Sequence, residues 1–320
     1  MQTQPEFLTL RQHLEQTIVG QTRLIDRLMI ALLAGGHILL ESAPGLAKTT
    51  AVKALAGGVH ARFQRIQFTP DLMPADITGS EVFNPKDGDF HFAPGPLFNE
   101  IILADEINRA PPKVQSALLE AMEERQVTIG GQSHALPDLF IVMATQNPLE
   151  QAGTYPLPEA QLDRFLLHVV IDYPDEEQEL RILERDRRLH FGEDRDQPDT
   201  RLSPATVLQA RREVAEIHIE DSLKRYVVSI VNATRHLGRW LPDWHDAIQF
   251  GASPRATLAM VRAASAHAYL QGREYVIPDD VSEVAGDVLR HRIIPSFSAR
   301  SRQLGCNELI QGILDHVPVP

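Results

Sequence analysis

The chain is poor in cysteine and has no long apolar run. Cys306 is its single cysteine, which excludes an internal disulfide and a metal site built from several thiolates, and which fits a reducing compartment. No segment approaches the roughly 18 consecutive apolar residues that a membrane-spanning helix needs. Near the N-terminus the apolar residues are interrupted by Arg11, His13 and Glu15, unlike the core of a secretory signal. We therefore expect a soluble, cytoplasmic protein.

Basic residues are also scarce. The chain has 31 Lys and Arg residues against 43 Asp and Glu residues, a formal net charge of −12. Nucleic-acid binding depends largely on Lys and Arg side chains that neutralise phosphates, so this balance argues against a general nucleic-acid binder, although not against a local basic channel. The length of 320 residues and the 43% hydrophobic content predict two domains with a sizeable core.

A segment near residue 45 has the layout of a phosphate-binding loop. The apolar run at 38–40 predicts a buried strand, a helical pattern begins at Lys48, and a turn of small residues joins them. Backbone N–H groups and the helix dipole at such a turn favour a phosphate. Lys48 would reach the β- and γ-phosphates, and the Thr49 hydroxyl would bind Mg²⁺. The predicted nucleotide-binding residues are Ser42, Ala43, Pro44, Gly45, Leu46, Ala47, Lys48, Thr49 and Thr50.

This loop departs from the usual pattern at two positions. Ser42 and Ala47 stand where glycine is common, and only Gly45 remains. Both side chains are small, so the backbone can still approach a phosphate if neither position needs a positive φ. The alternative interpretation is an ordinary strand-to-helix turn that carries Lys-Thr.

Strands and helices alternate along the first half of the chain, which predicts a parallel sheet covered on both faces. Five prolines between residues 69 and 98 exclude one long helix there, and residues 86–89 lie between two apolar pairs as in a hairpin. Beyond the loop unit, the predicted strands are 63–68, 101–104, 139–144 and 167–171, and the predicted helices are 5–34 (two) and 111–124. Residues 159–165 form a short amphipathic segment before the last of these strands.

The composition changes after residue 174. Residues 175–200 are dense in mixed charge and predict a charged helix followed by a linker. From Ser203, a candidate N-cap, the pattern is helical, over about 204–218, 221–237, 254–270 and 278–292. We therefore predict an α/β core over residues 1–190 and a smaller all-α domain over 200–320.

Two acids follow the apolar run at 101–104. Asp105 and Glu106 would lie at the carboxyl edge of a central parallel strand, where α/β sheets bind ligands. Asp105 would position Mg²⁺ through its water shell, and Glu106 would accept a proton from the attacking water, a contribution of roughly 10²–10⁴ in rate. Asn147 follows the next strand and could orient that water. A solvated sheet edge is the alternative for the acids, and a turn is the alternative for the amide.

The order of these motifs resembles that of the AAA+ ATPases and, within them, of the MoxR family in the helix-2-insert clade. The resemblance covers essentially the whole chain. Its most specific segments are Pro-Gly-Leu-Ala-Lys-Thr (44–49), Ala-Asp-Glu-Ile-Asn-Arg-Ala (104–110), Ala-Leu-Leu-Glu-Ala-Met-Glu-Glu-Arg-Gln-Val (117–127), Ala-Thr-Gln-Asn-Pro (144–148) and Pro-Glu-Ala-Gln-Leu-Asp-Arg-Phe (158–165). Ala47 agrees with the family, whereas Ser42 departs from it.

The resemblance implies a role for each motif. Lys48 and Thr49 correspond to Walker A, Asp105 and Glu106 to Walker B, and Asn147 to sensor 1. Two arginines gain roles only through the resemblance. Arg164 matches the arginine finger that reaches the neighbouring subunit's ATP, and Arg255, in Ser-Pro-Arg (253–255), matches sensor 2 of the lid. Residues 79–92 correspond to the inserted hairpin of the clade.

The resemblance further implies a P-loop fold with a helical lid and a hexameric ring that hydrolyses ATP with Mg²⁺ to remodel or activate partner proteins, often ones with a von Willebrand factor A domain. Three alternatives stay open. A magnesium-chelatase-like motor subunit would differ in its client. A nucleotide-gated binding module with little turnover is allowed by Ser42 but disfavoured by the intact Asp105-Glu106 pair. A helicase is disfavoured by the acidic composition.

Overall fold

The computed structural model describes most of the chain, in six ranges: residues 1–43, 45–46, 48–86, 88–147, 153–190 and 201–320. These residues form two compact units. The first unit comprises Pro5–Leu157 and Val169–Gln209, and the second comprises Met1–Gln4, Pro158–His168 and Ala210–Pro320. The division into functional domains over 1–190 and 200–320 stays a prediction.

Helices and strands alternate along the first half of the described chain. The helices are α1 (Gln4–Thr17), α2 (Thr22–Ala34), α3 (Lys48–Gly58), α4 (Pro74–Thr78), α5 (Pro112–Glu124), α6 (Glu159–Leu162), α7 (Glu176–His190), α8 (Pro204–Ala215), α9 (Asp221–Ala233), α10 (Pro254–Leu270), α11 (Pro278–Leu289), α12 (Phe297–Ser301) and α13 (Cys306–His316). The strands are β1 (Ile38–Ser42), β2 (Phe63–Gln67), β3 (Gly79–Asn84), β4 (Asp89–Pro94), β5 (Ile101–Asp105), β6 (Gln126–Ile129), β7 (Gln132–Ala135), β8 (Ile141–Gln146), β9 (Leu167–Ile171), β10 (Ile248–Phe250) and β11 (Ile294–Pro295).

A five-stranded sheet with the order β2-β5-β8-β1-β9 organises the fold. The pairs β2–β5, β5–β8 and β8–β1 are parallel, with Leu103 opposite Met143 and Leu39 opposite Ala144. All five residues of β5 and the first five of β8 are buried, as expected for central strands covered on both faces. The carboxyl ends of β1, β5 and β8 therefore meet at one edge, and the predicted parallel α/β sheet is confirmed.

Two hairpins flank β5 in sequence. The predicted one is confirmed as the antiparallel pair β3–β4, in which Glu81 faces Phe92; Asp87, in its predicted turn, lies outside the described residues. At its base Gly79 has φ 91° and approaches the backbone of Ala93, a position that no side chain fits. The second hairpin, β6–β7, was not predicted. Its turn is Gly130-Gly131, and both glycines have positive φ.

The chain is mainly helical from Ser203 onward. Ser203 caps α8 as predicted, because its hydroxyl accepts a hydrogen bond from the backbone N–H of Thr206 at 3.0 Å. The sequence pattern missed α12 and α13 and the short antiparallel pair β10–β11, whose strands have three and two residues. Strands of that length leave no alternation to detect. None of the helices in the described ranges has the length and apolarity to cross a membrane.

Candidate functional site

The predicted phosphate loop joins the end of β1 to the start of α3. Gly45 has φ 85°, the left-handed conformation that glycine adopts without strain. Ser42 is buried in the extended backbone of β1, so its departure from glycine meets no need for a positive φ. Lys48 Nζ donates a hydrogen bond to the Ser42 carbonyl at 3.0 Å. Pro44 and Ala47 lie outside the described residues.

Ala43 and Leu46 complete the described part of this loop, and Thr49 and Thr50 lie in the first turn of α3. The Thr49 side chain is half-buried, whereas Thr50 is exposed. Both residues therefore lie at the N-terminal end of α3, where the backbone N–H groups have no hydrogen-bond partner within the helix.

Asp105 ends β5 and is held from two sides. Its Oδ1 accepts a hydrogen bond from the buried Thr145 hydroxyl at 2.6 Å, and its Oδ2 accepts one from Arg65 Nη2 at 2.6 Å. Thr145 Oγ1 also accepts a hydrogen bond from the backbone N–H of Glu106 at 2.8 Å. One threonine on β8 therefore positions both acids at the end of β5.

Glu106 has an unusual backbone conformation. It is left-handed, with φ 58° and ψ 50°, which costs free energy for a residue with a side chain and is frequent at functional sites. Its Oε2 accepts a hydrogen bond from Gln67 Nε2 at 3.0 Å and pairs with Arg109 Nε at 3.0 Å. These two partners fix the orientation of the carboxylate at the sheet edge.

The charges of the loop and of the acids influence each other. Burial lowers the pKa of Lys48, and the negative charges of Asp105, Glu106 and Glu41 oppose that shift. The structure therefore brings Lys48 and the two predicted acids within electrostatic reach. Asn147 is buried immediately after β8, the strand between β5 and β1. Four of the predicted residues thus lie along one edge of the sheet.

The donors at this edge fit Mg²⁺ bound together with a nucleotide. The Thr49 hydroxyl and the Asp105 carboxylate supply the hard oxygen ligands that Mg²⁺ prefers, and such sites use one or two carboxylates together with substrate phosphates. Within the described ranges, no three His, Cys, Asp or Glu residues cluster as a metal-binding group. The side chains present therefore suit a shared protein–phosphate site better than an all-protein cage.

A cavity of about 310 Å³ adjoins the phosphate loop. Its wall includes Gly45, Leu46 and Thr50 of the loop region. The remaining lining comes from the end of α1 with the turn after it and from α7 with the turn before it: Thr17, Ile18, Val19, Gln21, Pro174, Ile182, Arg185 and Asp186. The volume lies at the lower end of the usual range for small-molecule sites, about 300–1,000 Å³.

The sequence analysis missed several of these residues. Arg65 and Gln67 alternate on β2, but nothing in the sequence shows that β2 lies beside β5. The cavity joins residues near position 18 to residues near position 185, which no local pattern connects. Ile18 and Val19 are the lining residues that the sequence could have indicated, because they form an apolar pair at the break between the two helices predicted over 5–34.

The two predicted arginines belong to the second compact unit. Arg164 is half-buried and follows α6, whereas Arg255 is exposed in the first turn of α10. The N-cap of α10 is Ser253, whose hydroxyl accepts a hydrogen bond from the backbone N–H of Arg255 at 3.2 Å. The predicted roles of both arginines stay predictions.

Comparisons with known proteins give the family. Residues 37–167 match the model of the ATPase family associated with various cellular activities (AAA), and residues 243–310 match an AAA lid domain. Chaperone MoxR1 of Mycobacterium tuberculosis is 45% identical over 309 residues, which cover 96% of this chain and 80% of that protein. Protein MoxR of Methylorubrum extorquens is 33% identical, over 95% of this chain and 92% of that protein. The chain belongs to the MoxR family of AAA+ ATPases.

A solved structure agrees with this. The crystal structure of a Cytophaga hutchinsonii protein provisionally described as an ATPase is 42% identical to this MoxR-family chain and superposes with a TM-score of 0.90. The likeness covers 100% of this chain and 96% of that one. The family inferred from the sequence motifs is therefore confirmed. Lys48, Asp105, Glu106 and Asn147 all lie within the matched AAA segment of the MoxR-family chain.

Proposed function

We propose that this MoxR-family protein is a Mg²⁺-dependent ATPase that converts ATP and water to ADP and phosphate. The observation that carries the proposal is the apposition of Lys48 with Asp105 and Glu106 at one sheet edge, beside a cavity of nucleoside size. This is the arrangement that phosphoryl transfer requires, because positioning and charge stabilisation supply most of its catalysis.

Each residue at the edge has a distinct task in this proposal. Lys48 and the backbone N–H groups of the loop bind the β- and γ-phosphates. Thr49 and Asp105 hold Mg²⁺, which neutralises phosphate charge when bound. Asn147 orients the attacking water, and Glu106 accepts its proton. The partners of Glu106 on β2 and after β5 keep its carboxylate aimed at that water.

The nucleoside is held in the adjoining cavity. Ile18, Val19 and Ile182 supply apolar contact for a base, and Arg185 and Asp186 supply polar groups. Most small-molecule sites have this composition, with apolar walls and a few placed polar groups. ATP and ADP would share these contacts, because they differ only at the phosphate end.

We further propose that the protein works as a homo-oligomeric ring, a hexamer, in which catalysis is shared between subunits. Arg164 acts as the finger on the neighbouring subunit's ATP, and Arg255 acts as sensor 2 of the lid. The ring remodels or activates client proteins, with von Willebrand factor A-domain proteins as the expected class. The chaperone name of the M. tuberculosis relative supports this part.

Three variants test the ATPase proposal. Lys48→Ala should abolish binding of labelled ATP, because the ammonium and its phosphate contacts are lost together. Glu106→Gln should bind ATP normally and lose roughly 10²–10⁴ in turnover, because only the base is missing. Lys53→Ala, on the exposed side of the same helix, should behave as wild type.

Phosphate release and filter binding measure these effects. Binding of ATP by Lys48→Ala as tight as that of wild type would refute the loop assignment. Tight binding without phosphate release by the wild type would instead favour the nucleotide-gated binding module. The identity of the client proteins that Glu106→Gln captures with ATP would distinguish a chaperone from a chelatase-like motor subunit.

A further inference from the structure

The guanidinium group of Arg65 lies directly on the carboxylate of Asp105. Arg65 Nη2 donates a hydrogen bond to Asp105 Oδ2 at 2.6 Å, and Arg65 Nε donates one to the same oxygen at 3.0 Å. The Arg65 side chain is 45% exposed and that of Asp105 is 12% exposed. Both residues belong to the first compact unit, in which β2 pairs with β5. A permanent positive charge therefore contacts the acid that the proposed function assigns to Mg²⁺.

The hydrogen bonds to Asp105 use most of its acceptor capacity. An ionised carboxylate has two oxygen atoms with about four acceptor directions in total. Oδ2 accepts two hydrogen bonds from Arg65, and Oδ1 accepts one from the Thr145 hydroxyl at 2.6 Å. Within the part of the chain that the structure describes, three donated bonds thus reach this carboxylate. A metal ion that binds Asp105, directly or through water, has to share Oδ2 with Arg65 or use what remains of Oδ1.

Arg65 also contacts the second acid through one intervening side chain. Its Nη2 donates to Gln67 Oε1 at 2.7 Å, and Gln67 Nε2 donates to Glu106 Oε2 at 3.0 Å. Arg65 and Gln67 are two positions apart on β2, so their side chains lie on the same face of the strand. Arg65 therefore belongs to the hydrogen-bond network of both acids.

An ion pair that only fastens β2 to β5 is the alternative role for Arg65. The chain has such a pair at the amino ends of the same two strands, where Arg62 meets Glu100. Arg62 Nε bonds to both oxygens of that carboxylate, at 3.0 and 2.9 Å, and the backbone N–H of Arg62 bonds to it as well. Arg65 differs, because it contacts one oxygen of Asp105 and divides its donors between Asp105 and Gln67.

We propose that Arg65 competes with Mg²⁺ for Asp105 and so sets the Mg²⁺ concentration at which the protein binds ATP. The proposal rests on the proposed function, in which Thr49 and Asp105 hold Mg²⁺. Arg65 has two opposing effects at this site. Its hydrogen bonds hold the Asp105 carboxylate in place, whereas its charge repels a divalent cation at the same carboxylate. The repulsion is the larger effect, because Thr145 already fixes Asp105 through its other oxygen.

Arg65→Gln tests the sign of this effect, because it removes the charge and keeps a hydrogen-bond donor. The change is made in the Glu106→Gln background, so that bound ATP is not hydrolysed during the measurement. Filter binding of labelled ATP, at fixed ATP and increasing Mg²⁺, gives the Mg²⁺ concentration for half-maximal binding. We expect this concentration to fall by about 3- to 10-fold, because solvent screens much of the repulsion at a half-exposed site.

Three further variants in the same background separate charge from shape. Arg65→Lys keeps the positive charge, so its half-maximal Mg²⁺ concentration should stay within about twofold of that of the Glu106→Gln parent. Arg62→Gln removes one positive charge at the other end of β2 and should also stay within that range. Arg65→Thr introduces a residue that suits strands, gives a second route if Arg65→Gln does not fold, and should lower the concentration in the same way.

The direction of the shift distinguishes competition from simple support of Asp105. A residue that only holds Asp105 in place would, when removed, leave the metal ligand less ordered and raise the Mg²⁺ requirement. A raised or unchanged requirement in Arg65→Gln and Arg65→Thr, or an equal fall in Arg62→Gln, would overturn the proposal. If the Glu106→Gln parent binds no ATP, or binds it independently of Mg²⁺, the proposed function itself fails, and the competition at Asp105 fails with it.

Discussion

Thr145 holds both acids of the nucleotide site through one buried hydroxyl group. The hydroxyl donates to Asp105 at 2.6 Å and accepts from the backbone of Glu106 at 2.8 Å. Thr145 is buried, and Leu40, its partner residue on β1, is fully buried. Water therefore cannot take the place of the hydroxyl group in these hydrogen bonds. The two carboxylates of the proposed site therefore depend on one threonine of β8 for their position.

Thr145→Val tests this dependence at nearly constant volume. The change leaves a carboxylate oxygen and an N–H without their partner, which costs about 1–3 kcal/mol for buried groups. We expect that loss of stability in urea unfolding, together with a higher Mg²⁺ requirement for ATP turnover. Thr128→Val is the control, because its hydroxyl bonds to Ser133 at an exposed position and the change should cost under about 0.5 kcal/mol. An unchanged midpoint and Mg²⁺ requirement in Thr145→Val would contradict the assignment.

At the scale of elements, the β3–β4 hairpin divides its aromatic residues between base and tip. At the base, Phe92 stacks on His134 of β7 with ring centroids 3.9 Å apart, so the two hairpins pack together. Toward the tip, the ring centroids of Phe83 and Phe90 lie 5.3 Å apart, and the two residues are 50% and 65% exposed. An anchored base and an exposed aromatic tip suit contact with another protein.

The double change Phe83→Ser and Phe90→Ser tests the hairpin as a client contact. Basal ATP turnover should stay within a few-fold of wild type, because neither ring lies at the nucleotide site. Capture of client proteins in the Glu106→Gln background with ATP should be lost, whereas Lys86→Ala on the same hairpin should keep it. A collapse of basal turnover in the folded double variant would instead make the hairpin part of the ring's allosteric machinery.

Helices α10 and α11 are joined by a buried carboxylate. Arg273 makes two hydrogen bonds to Asp280, both at 2.6 Å, and His267 and the backbone N–H of Ile277 add two more. Burial alone would raise the pKa of Asp280, but these hydrogen bonds outweigh it and lower the pKa to about 2. Because the pKa is depressed in the folded state, the ionised carboxylate stabilises the fold.

The sign of this shift gives a pH-dependent prediction. The stabilisation is fully present above the unfolded pKa near 4 and is lost as the pH falls from about 4 through 2. Asp280→Asn should therefore be less stable than wild type at pH 7 by about 2 kcal/mol, the equivalent of the shift. Denaturant unfolding from pH 7 to pH 2 should show the two proteins converging below pH 4. A gap that does not change with pH would show that Asp280 acts by packing rather than by charge.

At the scale of the whole molecule, the proposed site needs a second subunit. Arg164 serves another subunit's nucleotide in the proposed ring, so nucleotide binding and assembly should be linked. The net charge of −12 also bears on the molecule as a whole, because it disfavours DNA as the substrate that a helicase would move along. Turnover that rises on addition of DNA would reopen that alternative.

Linkage between nucleotide and assembly is directly measurable. With ATP, Glu106→Gln should shift to the mass of a hexamer in sedimentation, because it retains nucleotide between subunits. Lys48→Ala should show no such shift at the same protein concentration, and Lys53→Ala should behave as wild type. If ATP leaves the mass of Glu106→Gln unchanged at the value of a monomer, the shared ring site is refuted.

The sequence by itself determined the family, the parallel sheet and the sheet edge at which the proposed site lies. Lys48, Asp105 and Glu106 were predictable because each signal is local: an apolar strand, then a turn or an acid pair. The β3–β4 hairpin was predictable for the same reason, because its turn residues lie between two apolar segments. The Gly130-Gly131 turn of the second hairpin was an available signal, but its strands have four residues each and are largely polar.

Only the tertiary structure decided which distant residues hold the site. Arg65 and Gln67 reach the two acids because β2 lies beside β5, and Thr145 reaches them because β8 lies on the other side. The strand order of a parallel sheet is set by how crossover connections pack, and residue periodicity contains no record of it. The same holds for the cavity wall from α7 and for the hydrogen bonds of Asp163 to Ser253 and Arg292, which lie 90 and 129 positions further along the chain.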